Sequence, residues 1–137
     1  MFDALDISAS GLKAQRLRMD AISANIANLN TTRDTQGQPI PYRRRFAVFA
    51  PTAAPRGEGA AKPGVHVSRI EQDRSPFNRK FDPGHPDAGA DGYVLTPNID
   101  LSIEFVNALE ASRAYEANVT TMEVTKSMIN ATLRLLA

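Results

Sequence analysis

The sequence predicts an α+β protein in which long N- and C-terminal helices pair as a coiled-coil-like rod, with a small β-hairpin-rich insert between them. Helix-breaking residues are confined to the middle of the chain, where all nine prolines and seven of the eight glycines lie in residues 37–97. Apolar residues recur at heptad spacing in both flanks. These observations divide the chain into an N-terminal helix (1–32), an insert (33–97) and a C-terminal helix (98–137).

The N-terminal flank predicts a helix of roughly 25 residues. One apolar row recurs every seven residues, and a second row lies three residues further on. Together the two rows comprise Leu5, Leu12, Met19, Ile22, Ile26 and Leu29. The side chains of Asn28, Asn30, Thr31 and Thr32 favour hydrogen bonds to the backbone over continuation of the helix, so we expect the helix to end near Asn30.

The C-terminal flank predicts one longer helix, because alternating steps of four and three residues continue over five heptads. The positions on this seam are Leu101, Phe105, Ala108, Ser112, Tyr115, Val119, Met122, Lys126, Ile129, Leu133 and Leu136. A helix over residues 100–136 would be a rod of roughly 55 Å, too long to be covered by the core of so short a chain. We therefore expect the two terminal helices to pack together, with Gln15, Ser112 and Lys126 weakening the pair but fixing its register.

The insert predicts a small antiparallel sheet or a pair of hairpins. Residues 42–49 have the composition of a β-strand, and residues 65–70 predict a second one. Residues 77–81 and 93–95 predict short strands on either side of the turn-rich segment 82–92. The insert has no room for a large core.

Composition and charge exclude several classes of function. The net charge of +1 provides no strongly basic surface for nucleic acid or a membrane. The absence of cysteine excludes a disulfide framework and a thiolate zinc site. The N-terminus lacks a secretory signal, and no apolar run approaches the length of a membrane span. We expect a chain that stays in the cytosol or is exported without a cleaved signal peptide.

Asp82, His85, Asp87 and Asp91 form the one cluster that resembles a metal-ligand set. Their spacing does not fit an EF-hand loop, and Asp-Pro-Gly and Asp-Gly favour turns for backbone reasons, so we interpret the segment as a turn. No nucleophile elbow or phosphate-binding loop surrounds the serines and histidines. We predict neither an enzyme nor a bound cofactor or metal. A metal-binding module built on the insert is the more distant alternative.

Polar residues in both flanks and in the insert are candidates for contacts between subunits. Arg43, Arg44 and Arg45 predict a solvated strand face or an ion-pairing patch in preference to a nucleic-acid or phospholipid site. For an ion-pairing patch, arginine can bind carboxylates bidentately. The candidate partners on another copy of the chain are Glu104, Glu110, Glu116 and Glu123. Asn25, Asn28 and Asn118 are candidates for hydrogen bonds across helices, and a solvent-facing position is the equally weighted alternative.

Large apolar residues also lie off both seams. They are Phe2, Ile7, Leu17, Ile103, Val106, Val124, Met128 and Leu135. Apolar surface distributed around a helix indicates neighbours on several sides. This pattern suits a subunit packed into a larger assembly.

Several motifs resemble those of bacterial flagellar axial proteins. ISASGLKAQR (7–16), followed by NIANLNTT (25–32), resembles the N-terminal motif of flagellar rod and hook proteins. Within that family, the segments 82–100 and 106–119 narrow the resemblance to the rod protein C group of proximal-rod subunits. Residues 50–64 match no pattern of the family.

The resemblance implies a structural subunit of the proximal rod, which crosses the periplasm as a drive shaft and carries torque. It implies export by the flagellar type III apparatus without a cleaved signal. The implied partners are other copies of the chain, other rod subunits, the hook–basal-body adaptor at the rod base and the export apparatus. Another axial protein of the rod or hook junction is the nearer alternative, and the segment 82–100 argues against it.

Overall fold

Two long helices, one at each end of the described chain, flank four short β-strands. The computed structural model describes residues 2–52 and 63–136. In chain order the elements are α1 (Phe2–Ala27), β1 (Arg45–Thr52), β2 (Gly64–Gln72), β3 (Asn78–Phe81), β4 (Tyr93–Thr96) and α2 (Leu101–Leu136). The predicted α+β arrangement of two terminal helices around a β-hairpin insert is confirmed. Most of the segment 50–64, which matches no family pattern, lies outside the described residues.

The four strands form two separate antiparallel hairpins. β1 pairs with β2, with Arg45 opposite Gln72 and one irregularity in the register between Val48 and Phe49. β3 pairs with β4 over the four residues of each strand. A two-stranded sheet is too small to have a core of its own, so each hairpin depends on the elements against which it packs.

The boundaries of two elements differ by three residues from the prediction. β1 begins at Arg45 instead of residue 42, and the N–H of Arg44 donates to the side-chain oxygen of Asn98 (3.2 Å) instead of to a partner strand. α1 ends at Ala27 instead of near residue 30. The side-chain amide of Asn28 donates to the carbonyl of Ala24 (2.8 Å). Hydrogen bonding from a side chain to the backbone, which favours the end of a helix, therefore begins already at Asn28.

α1 packs against α2 and also against both strands of the β1–β2 hairpin. The helices are antiparallel, because Asn25 near the end of α1 contacts Glu104 near the start of α2, while Gly11 lies against Asn118. A Cβ atom at Gly11 would lie only 3.0 Å from the amide nitrogen and oxygen of Asn118. The absence of a side chain at Gly11 therefore permits this close approach of the two helices.

Ser10 joins β2 to α1. Its hydroxyl donates to the carbonyl of Ile7 (2.7 Å) and accepts a hydrogen bond from the N–H of Val65 (3.0 Å). A Cβ atom at Gly64 would lie 2.5 Å from the Ser10 hydroxyl oxygen. The first residue of β2 thus lies directly against the helix.

The buried interior of the described chain is small and partly polar. The buried apolar residues are Ala14, Ala21, Ile22, Val94, Ile99 and Ala111. The largest side chains with almost no exposed surface are those of Glu104, Asn25 and Pro97. A glutamate and an asparagine therefore occupy positions that large apolar side chains usually fill.

Candidate functional site: exposed helix faces and a buried polar cluster

Glu104, in the first turn of α2, is at the centre of a buried polar cluster. Its side chain has no exposed surface. One carboxylate oxygen accepts a hydrogen bond from Nε of Arg44 (2.7 Å), and the other accepts one from the side-chain nitrogen of Asn25 (2.9 Å). A carboxylate bonded through both oxygens to a cation and an amide can be buried without leaving an unpaired charge.

Asn25 connects this carboxylate to the first residue of β1. Its amide nitrogen donates both to Glu104 and to the carbonyl of Arg45 (2.8 Å), and its oxygen accepts from the N–H of Arg45 (2.8 Å). The hydroxyl of Tyr42 donates to the same oxygen at 3.4 Å. The polar cluster, defined as Asn25, Arg44 and Glu104, therefore holds the end of α1, the start of β1 and the start of α2 together.

The three consecutive arginines all have partners within the chain. Arg44 binds Glu104 of the same chain, which corrects the hypothesis that this glutamate is supplied by another copy. Arg43 lies over the ring of Phe77, 4.2 Å from its centroid, and Arg45 lies 5.3 Å from the centroid of Tyr42. The ion pair of Arg44 and Glu104 forms within the chain because the start of β1 and the start of α2 are adjacent in the fold. Contacts of these arginines with another subunit stay a prediction.

The other two asparagines proposed for intersubunit contacts also have partners on their own helices. Asn118 donates to the carbonyl of Ala114 (2.9 Å), and Asn28 donates to that of Ala24 (2.8 Å). Asn118 also faces Gly11 across the helix pair. A role for Asn28 and Asn118 between subunits stays a prediction.

A second polar contact between the helices lies two turns of α1 away from the polar cluster. Arg18 pairs with Glu110 (3.0 Å) and approaches Asn107 (3.4 Å). Glu110 is largely exposed, so this ion pair contributes little to stability by itself. Arg18 and Asn25 are seven residues apart, so the two contacts start from the same side of α1.

Asp87 joins the turn after β3 to the loop that follows α1. Its carboxylate accepts hydrogen bonds from Nε of Arg33 (2.7 Å) and from the hydroxyl of Thr32 (2.8 Å). These bonds hold the pKa of Asp87 below its usual value, and the bond from Arg33 contributes more than the bond from Thr32. The bond to Asp87 correspondingly raises the pKa of Arg33. The acidic turn thus binds a cationic side chain of the same chain.

The segment 82–92 forms the turn that the sequence predicts. The N–H of Asp82 donates to the carbonyl of Gly92 (3.0 Å), and Gly92 has a φ of 75°, which favours glycine. Asp91 is paired with Arg79. Among the residues that the structure describes, no three histidine, cysteine, aspartate or glutamate side chains are grouped so that they could hold a metal ion.

The predicted seam residues differ in their exposure within a single chain. Ile22 is buried, and Leu101, Phe105 and Leu133 are exposed. The half-buried members are Leu5, Leu12, Met19, Ile26, Leu29, Tyr115, Val119, Met122 and Ile129. The side chain of Leu136 lies outside the described part of the structure.

The side of α2 that is buried within the chain carries Glu104 and Ala111, and it is therefore rotated from the predicted seam. Leu101 and Phe105 lie outside the contact between α2 and the rest of the chain, because Glu104 and Ala111 occupy that contact. Packing of the predicted seam residues between subunits stays a prediction.

A second, exposed apolar face runs along α2. At 3.6 residues per turn, Val106, Val124, Met128 and Leu135 fall within about 40° of one another, on the side opposite Glu104. Each of these four side chains is more than half exposed, and Leu135 is 88% exposed. We call these four residues the outer stripe. A helix with one covered side and a second apolar side has surface for a further partner.

Comparisons with known proteins identify the family. Residues 5–33 match the family described as "Flagella basal body rod protein", and residues 90–135 match "Flagellar basal body rod FlgEFG protein C-terminal". The flagellar basal-body rod protein FlgC of Bacillus subtilis is 45% identical, with 93% of each chain covered. The chain belongs to the FlgC family. The FlgC proteins of Borreliella burgdorferi and Escherichia coli O157:H7 are 43% and 40% identical, and the matches cover 99% and 98% of this chain and 97% of each relative.

Membership of the FlgC family confirms the resemblance found in the sequence. The chain is a structural subunit of the proximal rod in the flagellar basal body, and so a component of the motility apparatus. Among the described residues, no helix combines the length and the apolar character that crossing a membrane requires.

The place of Glu104 at the centre of the buried polar cluster was not predicted from the sequence. A signal was nevertheless present in both flanks. Gly11, Arg18 and Asn25 recur every seven residues on α1, and Glu104, Ala111 and Asn118 recur every seven residues on α2. These rows have the heptad period of a helix pair, but small and polar residues occupy them, so a search for apolar residues does not detect them.

Proposed function

We propose that the chain packs helically with other rod subunits to form the torque-transmitting drive shaft of the flagellum. The observation that carries this proposal is the outer stripe of α2. It is apolar, exposed and directed away from the side that α2 buries within the chain. Burial of each large apolar side chain between subunits contributes about 2 kcal/mol. The mechanism is therefore mechanical, because close packing of helix faces makes the shaft stiff.

The partners that we propose are other copies of the chain, other rod subunits, and the hook–basal-body adaptor at the rod base. The chain reaches the periplasm through the flagellar type III export apparatus, without a cleaved signal peptide. The chain acts by packing, without catalysis and without a cofactor. The family membership supports these assignments, since the relatives are rod proteins by name.

The predicted seam and the arginines at and just before the start of β1 take part in this packing. Leu101, Phe105 and Leu133 are exposed and available to neighbouring subunits. Arg45 lies over the ring of Tyr42, and Arg43 lies over the ring of Phe77 and donates through one nitrogen to the carbonyls of Asp73 and Ser75. A guanidinium has five N–H donors, so both groups can also bind carboxylates of another subunit.

The test is a deletion of the gene, complemented with variants, in which envelope-embedded basal bodies are imaged by electron cryotomography. Without the gene we expect the inner-membrane ring to remain and the rod and everything outside it to be lost. Val124→Asp places a charge on the outer stripe and should reproduce that loss, because an unpaired charge buried between subunits is strongly unfavourable. Val124 is exposed in the single chain, so the fold of the subunit should survive.

Asn130→Asp is the matched control, because it adds the same charge at an exposed polar position of the same helix. It should support normal rods and normal swimming. A complete rod and hook in the deletion strain would contradict the proposed role. Normal rods with Val124→Asp would exclude the outer stripe as the packing surface.

A further inference from the structure

The contacts between α1 and α2 define one register. Asn25 faces Glu104 and Gly11 faces Asn118, and the two residues of each helix are fourteen apart in the sequence. In this register the first residue of α1, Phe2, lies opposite about residue 127. The last nine or so residues of α2, about 13 Å of helix, therefore extend beyond the start of α1.

Apolar packing alone does little to distinguish this register from its neighbours. The residues buried on the two helices include Ala14, Ala21 and Ala111, whose small side chains repeat with little difference in shape. If one helix slides along the other by seven residues, each small side chain meets another small side chain of the same row. A helix pair with repetitive small contacts needs another feature to select one alignment.

The polar cluster supplies that feature. A seven-residue shift in one direction would place Asn25 opposite Ala111, where its amide has no partner from α2. A shift in the other direction would place it opposite Pro97, before α2 begins. In both cases the amide of Asn25 would lose the carboxylate of Glu104 as its acceptor, and a buried polar group without a partner is costly. A single buried polar contact can fix the register of a helix pair.

We infer that the polar cluster of Asn25, Arg44 and Glu104 is a register pin for the two terminal helices. It selects one alignment among heptad-related alternatives. By doing so it determines from a distance which part of α2 extends beyond α1. The exposed side chains of Met128 and Leu135 lie in that extension. This inference concerns the single chain and does not depend on the proposed role in the rod.

Introduced cysteine pairs can report the register, because the chain has no cysteine of its own. A Cβ atom at Gly11 would lie 3.2 Å from Cγ of Asn118, which brings the two Cβ positions to about the 3.5–4.5 Å that a disulfide requires. Gly11→Cys with Asn118→Cys therefore reports the observed register. Gly11→Cys with Ala111→Cys or with Thr125→Cys reports the two heptad shifts. The last two pairs also carry Asn118→Ser, which relieves the close contact with the new side chain at position 11.

Each of the three double-cysteine proteins is purified and oxidised at low concentration, which favours bridges within one molecule. The intramolecular bridges are then quantified by non-reducing electrophoresis and peptide mapping. With the pin intact, the bridge between positions 11 and 118 should exceed each shifted bridge by about tenfold or more. Glu104→Leu and Asn25→Leu should each reduce that preference by about tenfold. Glu116→Leu is the matched control, since it makes the same change at an exposed glutamate of α2 and should leave the preference unchanged.

Asn25→Leu decides the matter if Glu104→Leu does not fold, because it leaves the ion pair of Arg44 and Glu104 in place. An unchanged preference in the folded variants would overturn the inference. The same conclusion would follow if Gly11→Cys with Asn118→Cys, in a chain whose polar cluster is intact, formed no bridge, because there would be no register to pin.

Discussion

At the scale of the residue, Glu104 shows how a carboxylate is accommodated where no water reaches it. Each of its two oxygens has its own donor, one from Arg44 and one from Asn25. Asn25 is used completely as well, since both hydrogens of its amide nitrogen and its oxygen are bonded. Removing Arg44 or Asn25 therefore leaves one oxygen of the buried Glu104 carboxylate without its donor.

Asn25→Ala should therefore lower the free energy of unfolding by about 3 kcal/mol, because Glu104 and the backbone of Arg45 both lose a partner. Urea-induced unfolding followed by circular dichroism measures the change. Asn130→Ala, at an exposed position on α2, is the control and should change the value by less than about 0.5 kcal/mol. Equal values for the two variants would contradict the assigned importance of the polar cluster.

Asp87 predicts a dependence of stability on pH. Its pKa in the folded chain is lowered by the bonds from Arg33 and Thr32, so the unfolded chain, with a carboxyl pKa of about 3.9, binds the proton more readily. The stabilisation by Asp87 is therefore complete at neutral pH and is lost as the pH falls below about 4 and through the lowered pKa. The difference in unfolding free energy between the parent and Asp87→Asn should be largest at pH 7 and should shrink towards pH 2.

Urea titrations of both chains at pH 7, 4 and 2 provide that comparison. A carboxyl titration of Asp87 by nuclear magnetic resonance would give the direction of the pKa shift independently. A difference that stays constant over the whole range would show that Arg33 and Thr32 do not favour the charged form.

At the scale of the element, periodicity predicted the two helices and composition predicted all four strands of the described chain. The heptad period was correct, but the position of the contact row was not. The large apolar residues Leu101 and Phe105 are exposed, whereas Glu104 and Ala111 are buried. In a subunit that also buries surface against neighbours, hydrophobicity marks every side that will be covered, so it does not reveal which side faces the chain's own partner helix.

The buried cluster could not be predicted for a related reason. Arg44 and Glu104 are sixty residues apart, and a sequence does not indicate that the start of β1 and the start of α2 meet. Arg44 pairs with a glutamate of α2 within the chain, and pairing of the arginines with glutamates of another copy stays a prediction. The turn at 82–92 was predictable because aspartate, proline and glycine determine its backbone locally.

A substitution that adds one methyl group at the start of β2 tests the attachment of this strand to α1. Gly64→Ala should lower the free energy of unfolding by about 1–3 kcal/mol, because the new Cβ would lie 2.5 Å from the Ser10 hydroxyl. That hydroxyl cannot move without weakening its bonds to Ile7 and Val65. Gly84→Ala is the control, since its Cβ would lie 3.8 Å from the nearest atom, a carboxylate oxygen of Asp82, which is an ordinary van der Waals contact. Similar midpoints of thermal unfolding for both variants would contradict the close approach.

At the scale of the whole molecule, burial along α2 is concentrated near the start of the helix. Glu104 and Ala111 are buried there, and the side chains near the end of α2 are exposed. Local opening requires little free energy where few contacts must be broken. The chain should therefore have a stability gradient that runs along α2.

Hydrogen exchange measured by mass spectrometry should show that gradient. Peptides that cover residues 104–111 should exchange slowest within α2, and peptides that cover residues 128–136 should exchange fastest, because the second group extends beyond α1. Uniform protection along the entire helix would contradict the gradient and the proposed extension.

The amide of Asn25 also covers part of an open edge of the β1–β2 sheet. A two-stranded hairpin has two open edges, and an open edge is a template for a strand of another molecule. At Arg45 both the N–H and the C=O are already bonded to Asn25, whose side-chain amide presents the same donor and acceptor as a peptide group. A helix side chain thus closes the edge of β1 at its first residue. Copies of this protein held side by side at high density therefore cannot extend one another's sheet from this point.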